Sequence, residues 1–373
     1  MRRYLLLANG PGEVWGWARP LLQEILRRGD LPELCLLPCQ YASGREKEAV
    51  EACFALKVYP LSIRKLLLEP RKGHYAGIIQ LGGDLLFGRY LAWRYCCPLA
   101  TYTYGWKKGL RSCSLVATAF GMMQGRLQER GCSAFVTGDL VASALLEDPH
   151  DFSWNAPEGR RVVFFPGSRK IIREAALLYA RDFRLSLLEE FPDVEITALL
   201  SPFSDPEELL LWKEAGFRAV SNDTGGVLAG ADLALTQPGT NTLELLHTGT
   251  PGMVAVPDRF LSLIPLPGIL GGLAAIPLLG PQIRRLGIQY LRSSLKDYLA
   301  WPNRIGGREI FPERIGLCLP GDLAGEVAEL LGNPERLGMM RQELMRLREE
   351  STTNEDHRNG AVRFMNTLEE ILE

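Results

Sequence analysis

Short apolar runs alternate with longer amphipathic stretches along most of the chain, and this alternation predicts a βα series. Tyr4–Ala8, Leu34–Pro38, Gly77–Leu81, Ala100–Tyr104, Leu115–Ala119 and Ala134–Thr137 read as strands. Between them Arg19–Arg28 reads as a helix, with Pro20 near its first turn and Gly29 after its end, and Leu85–Arg94 as another. Such alternation predicts a mostly parallel sheet covered on both faces. The polar, turn-rich stretch Glu147–Gly159 then breaks the pattern and marks a domain boundary.

A second series follows, with strands at Arg161–Phe165, Glu195–Leu200, Leu233–Thr236 and Met253–Val256. Its helices are Ile171–Glu190, Pro206–Ala215 and Asn241–His247, and the tail from Gly321 onward reads as successive helices. The expected fold class is α/β, with one domain over 1–150 and a second over 160–350. Phe260–Ile283 departs from the pattern, holding no charge but four prolines, which would break a straight helix. Arg284, Arg285, Arg292 and Lys296 follow among apolar residues, so 260–296 reads as an insert that lies on a membrane surface, with a buried helical hairpin as the other reading.

Length agrees with two domains at 373 residues. Hydrophobic content of 46% and charged content of 23% describe a folded protein. A net charge of −2 leaves no basic excess for a nucleic-acid backbone, so nucleic acid is not expected as a partner. The eight cysteines form no disulfide framework and no zinc-type spacing, and read as buried reduced thiols. The apolar run after Arg2 and Arg3 is interrupted at Asn9, Gly10, Pro11 and Glu13, short of a signal peptide. A cytoplasmic protein, peripheral on the inner face of the cell membrane, is expected.

Two strand-to-helix junctions carry the chemistry. In the first, Pro166-Gly167-Ser168-Arg169 enters a helix, so backbone N–H groups and a guanidinium can approach an anion. In the second, Gln237-Pro238-Gly239-Thr240-Asn241, Gly239 and Thr240 open the next helix, so their N–H groups and hydroxyls face the same crevice at the sheet's carboxyl edge. Glu244, one turn in, is placed to accept hydrogen bonds from a ribose diol. Together they predict a nucleotide-diphosphate site. No GxxxxGK[ST] occurs, and Asp148-Pro149-His150-Asp151 makes a poor metal site, so no metal or other cofactor is expected.

These strings, followed by Phe191-Pro192-Asp193, by PGTNTLELLHTGTPGMV and by Pro302-Asn303-Arg304-Ile305-Gly306-Gly307-Arg308-Glu309, resemble lipid-A-disaccharide synthases. Gly12-Glu13-Val14-Trp15-Gly16 is similar to that family's first loop, Gly83-Asp84-Leu85 sits at its Pro-Asp-Phe, and Trp106 with Lys107 and Lys108 resembles a basic, Trp-bearing stretch. The match covers nearly the whole chain and is strongest from Arg161 to Glu309. It implies the GT-B architecture, two Rossmann-like domains facing across a cleft, with the C-terminal helix (354–373) crossing back to the first domain. It also implies an inverting, metal-independent transferase that uses a UDP-sugar as co-substrate and a lipid or lipid-linked sugar as acceptor. A homodimer is allowed for.

Residue by residue, the resemblance puts Gly167, Ser168, Arg169, Gly239, Thr240, Asn241, Thr242, Glu244, Asn303 and Glu309 on the donor side. Asp84 falls on the family's proposed base. An inverting displacement needs such a carboxylate beside the acceptor hydroxyl, with Glu13 in reserve; Asp84 as a helix N-cap is the bland alternative. Gly12, Trp15, Trp17 and Trp106 are candidates for the acceptor, the first two tryptophans because they replace other residues of the family's loop. Two other readings share the fold: a UDP-sugar 2-epimerase, and a non-catalytic nucleotide-sugar-binding membrane protein.

Overall fold

The computed structural model describes residues 1–39, 42–60, 74–155, 159–261, 298–351 and 359–373. Most of the apolar insert expected over 260–296 lies outside them. The chain divides into two compact units, Met1–Asp148 with Glu349–Glu373, and Pro149–Arg348. Among the described residues no helix is long and apolar enough to cross a membrane.

The first unit holds seven strands in the order β3-β2-β1-β4-β5-β6-β7, every pair parallel. They are β1 Arg3–Ala8, β2 Leu31–Leu36, β3 Val58–Pro60, β4 Gly77–Leu81, β5 Leu99–Tyr102, β6 Leu115–Thr118 and β7 Phe135–Val136. The central strands are buried at nearly every position, which is why they read as unbroken apolar runs. Gln80 in β4 interrupts its run, as Thr101 and Thr118 do in β5 and β6, and all of the Gln80 polar groups are used. Its Nε2 donates to the carbonyls of Gly82 at 2.9 Å and Asp84 at 2.8 Å, and its Oε1 accepts from Gly88 N at 2.9 Å. A buried amide satisfied in this way fixes the turn after β4 from beneath.

The C-terminal helix Gly360–Leu372 belongs to this first unit and packs against the helices Arg19–Arg27 and Leu140–Leu146. Phe364, Met365 and Leu368 are buried on one face. Arg28 ties the helix down through Glu369 at 2.8 Å, Asn366 Oδ1 at 2.7 Å and Val362 O at 3.1 Å.

The second unit repeats the plan with six parallel strands, β10-β9-β8-β11-β12-β13. They are β8 Arg161–Phe164, β9 Glu195–Leu199, β10 Arg218–Val220, β11 Leu233–Thr236, β12 Gly252–Pro257 and β13 Glu313–Gly316. Phe164 is the hub of its core, with ring centroids of Phe183, Trp212 and Phe217 at 5.8, 5.9 and 6.0 Å. The helix Lys170–Glu190 covers this side of the sheet and packs against Pro320–Leu331.

Because Phe364 is wholly buried where the last helix meets the first unit, Phe364→Ala should lower unfolding free energy by about 3 kcal/mol. Urea denaturation checks this, and a loss below about 1 kcal/mol would show that the helix does not pack there.

Candidate functional site

In the second unit the chain runs outward from β8 to β9 and β10, then returns to place β11 on the other side of β8. Ligands of such sheets bind outside the carboxyl ends of the two strands flanking this reversal. Those ends carry the two expected junctions. Phe165 N donates to Leu235 O at 2.9 Å, and Gln237 Nε2 donates to Pro166 O at 3.2 Å, so the turns lie side by side. Gly167 has φ +108, a left-handed backbone that favours glycine. A Cβ there would also press on the Gln237 amide at 3.1 Å.

Ser168 is exposed and Arg169, the N-cap of the Lys170–Glu190 helix, is half-buried. On the neighbouring turn Gly239 is exposed, with open space where a Cβ would point. Thr240 and Asn241 are half-buried, as is Glu244 one turn into Asn241–Thr248. The arrangement offers two helix starts at one seam, with Arg169 in the N-cap position of one, a set suited to a diphosphate.

Two donor-side expectations, Thr242 and Asn303, are corrected. Thr242 is wholly buried, and its hydroxyl donates to Gly239 O at 2.9 Å while accepting from Trp301 N at 3.0 Å. It shapes the turn rather than facing a ligand. Asn303 is 0% exposed and has no capacity left. Its Nδ2 donates to Phe311 O and Glu313 Oε1, both at 2.8 Å, and its Oδ1 accepts from Ile310 N at 2.7 Å and Phe311 N at 2.8 Å. Glu309 is exposed, between the helix Trp301–Gly306 and β13, whose first residue Glu313 pairs with Val254, the partner of Thr236 at the end of β11. Arg173 was missed; it is buried behind Ser168, and a charge on the inner face of a helix start was its only signal.

The first unit has the same reversal between β1 and β4. Glu13 and Gly12 follow β1, and Gly82, Gly83 and Asp84 follow β4. Gly82 has φ +113, and a Cβ on it would overlap Asn9 Oδ1 and lie 3.1 Å from Glu13 Cγ, so the two turns touch. Asn9 Oδ1 is buried without a hydrogen-bond partner among the described residues. Asp84 is exposed, and its Oδ1 accepts from Leu86 N at 3.0 Å, starting the helix Leu86–Tyr95. The N-cap position itself is held by Leu85, so Asp84 stands one residue before it, and its bond to Leu86 N leaves the second carboxylate oxygen for other work. Lys107 is half-buried near Glu13; burial pulls its ammonium below the ordinary value, and Glu13 opposes that shift.

The tryptophans separate. Trp17, 6% exposed, is core: its Nε1 donates to Tyr104 OH at 3.1 Å, and its ring meets Tyr102 and Tyr104 edge-on at 5.1 and 4.9 Å. Tyr104 OH donates in turn to Asp139 at 2.7 Å, and burial first, then Asp139, holds both phenols well above their ordinary pKa. Trp17 as a residue for the acceptor is thus corrected to a packing residue. Trp15 is half-exposed beneath the Arg19 guanidinium at 4.6 Å, and Trp106 is 39% exposed between Arg111 and Arg130.

All eight cysteines are free, but Cys53 and Cys96 are exposed, so the expectation of buried thiols holds only for some of them. Burial pushes Cys35 and Cys97 up to about 11 and Cys113 to about 12, which leaves them protonated at neutral pH and poor nucleophiles. Among the described residues no three His, Cys, Asp or Glu side chains gather as metal ligands.

No protein-family model matches the chain, and no curated protein matches it by sequence. Solved structures do match its fold. A Listeria monocytogenes protein assigned as a UDP-N-acetylglucosamine 2-epimerase aligns with TM-score 0.56 and 13% identity over 100% of this chain and 96% of that one. A second UDP-N-acetylglucosamine 2-epimerase gives 0.53 at 13% identity over 98% and 94%. MurG from Acinetobacter baumannii gives 0.52 at 13% identity over 100% and 99%. The chain therefore has the GT-B fold, built from two Rossmann-like domains.

The saturated Asn303 amide makes a specific demand. Asn303→Ala should lower unfolding free energy by about 3 kcal/mol, because it strands two amide N–H groups and a carbonyl in the interior. Chemical denaturation checks it; a near-neutral variant would return Asn303 to the list of ligand-facing residues.

Proposed function

We propose that the protein is an inverting, metal-independent glycosyltransferase that moves a sugar from a UDP-sugar, UDP-GlcNAc-like, to a lipid or lipid-linked sugar. The observation that carries this reading is the contact between the Ser168 and Thr240 turns at the β8/β11 reversal. The order of motifs similar to lipid-A-disaccharide synthases supports it. So does likeness to two proteins named for UDP-N-acetylglucosamine.

In this reading the diphosphate rests on the amides around Ser168 and Thr240, Arg169 neutralises the leaving group, and Glu244 takes the ribose. A carboxylate removes the acceptor's hydroxyl proton as its oxygen bonds to the anomeric carbon. The bond from that carbon to the diphosphate breaks on the opposite face. Asp84 is the first candidate for that base, acting through the oxygen that does not hold Leu86 N, and Glu13 is the second. The apolar sequence from Phe260 to Ile283, with the basic residues after it, favours an acceptor at the inner membrane face. A 2-epimerase is the second reading, favoured by the likeness to the two epimerase structures.

Arg169→Ala should weaken UDP binding by about 2 kcal/mol, roughly thirtyfold, by calorimetry; unchanged affinity removes Arg169 from the site. Asp84→Asn should keep UDP affinity and abolish transfer to lipid extracts, and wild-type turnover would reject it as the base. Incubation with UDP-N-acetylglucosamine alone decides between the readings: a 2-epimer appears only for the epimerase.

A further inference from the structure

Arg173 is 1% exposed, in the first turn of the Lys170–Glu190 helix, where the helix dipole opposes a cation. Its guanidinium forks onto Glu208 of the helix Pro206–Glu214, with Nε on Oε1 and one Nη on Oε2 at 3.0 Å. The other Nη donates to Ser168 O at 2.7 Å and reaches Gly167 O at 3.5 Å. Removing such a pair from water costs desolvation, and apolar side chains of similar volume often replace one without loss of stability. Packing alone gives no reason to keep it.

The direction of the peptide planes does. In a planar trans peptide the C=O and the following N–H point opposite ways. Holding Gly167 O and Ser168 O against the buried guanidinium turns the Ser168 and Arg169 N–H groups outward, away from Arg173. Glu208 cancels most of the charge, so the fork acts through direction rather than through attraction. We propose that Arg173, anchored by Glu208, is a positioning residue that aims the Ser168 and Arg169 amides at the donor's phosphates without touching them; this rests on the donor-site reading above.

The test compares UDP, by calorimetry, with uridine, by ligand-observed NMR, on wild type, Arg173→Lys, Arg173→Met and Glu208→Gln, each checked for folding by thermal melting. Wild type that binds no UDP overturns the donor-site reading and this role with it. Given wild-type binding, both Arg173 variants should lose roughly tenfold in UDP affinity and keep their affinity for uridine. Lysine keeps the charge but not the fork, so full UDP affinity in Arg173→Lys contradicts the directional role. Equal losses for UDP and uridine show general damage to the pocket and overturn it too. If neither Arg173 variant folds, Glu208→Gln decides: a smaller loss confined to UDP supports the role, and unchanged UDP affinity overturns it.

Discussion

In both units the chain leaves the first strand outward in one direction and comes back to start again on its other side, with β4 beside β1 and β11 beside β8. The right-handed crossover of parallel strands then sends the two neighbouring connections to opposite faces of the sheet. The helices they lead into part to those faces, and the turns at the carboxyl edge carry backbone polar groups that the sheet no longer pairs. Every candidate for chemistry that the structure retains near those edges depends on this reversal. The turns touch, through Gln237 and Pro166 in one unit and through Gly82, Asn9 and Glu13 in the other.

Turns of this kind need support from behind, because a loop has no ladder of its own. Each unit supplies it with one buried polar side chain whose groups are satisfied on both sides. Gln80 holds the Gly82 and Asp84 carbonyls from within β4, and Arg173 holds Ser168 and Gly167 from within a helix. Buried polar groups are tolerated when each finds a partner, and once they do they leave a single arrangement. The outward-facing groups are thereby set before any ligand arrives, which reduces the ordering cost of binding.

The sheets and most helices were legible because burial on both faces writes itself as apolar runs. The strands that escaped, β3, β10 and β13, have only three or four residues, and β13 faces Arg314 and Ile315 to solvent, so they carry little periodic signal. The two strand-to-helix turns around Ser168 and Thr240 were readable from local composition, since small residues before a helix have a local reason to be there. Side-chain roles were less so. Thr242, Asn303 and Trp17 sit in strings that invite a ligand, yet their partners are Gly239 and Trp301, Ile310 and Phe311, and Tyr104. Those partners follow from tertiary approach, which spacing alone does not encode.

Likeness at 13% identity to epimerases and to MurG carries the fold, and the proposed diphosphate seat is a separate question. Hydrogen exchange read by mass spectrometry, with and without saturating UDP, addresses it without altering the protein. A diphosphate seated on the two turns predicts slowed exchange in peptides covering 165–172 and 237–244, with the rest of the second unit little changed. UDP that binds while both peptides exchange as before, or that protects only segments away from the β8/β11 edge, would contradict the site.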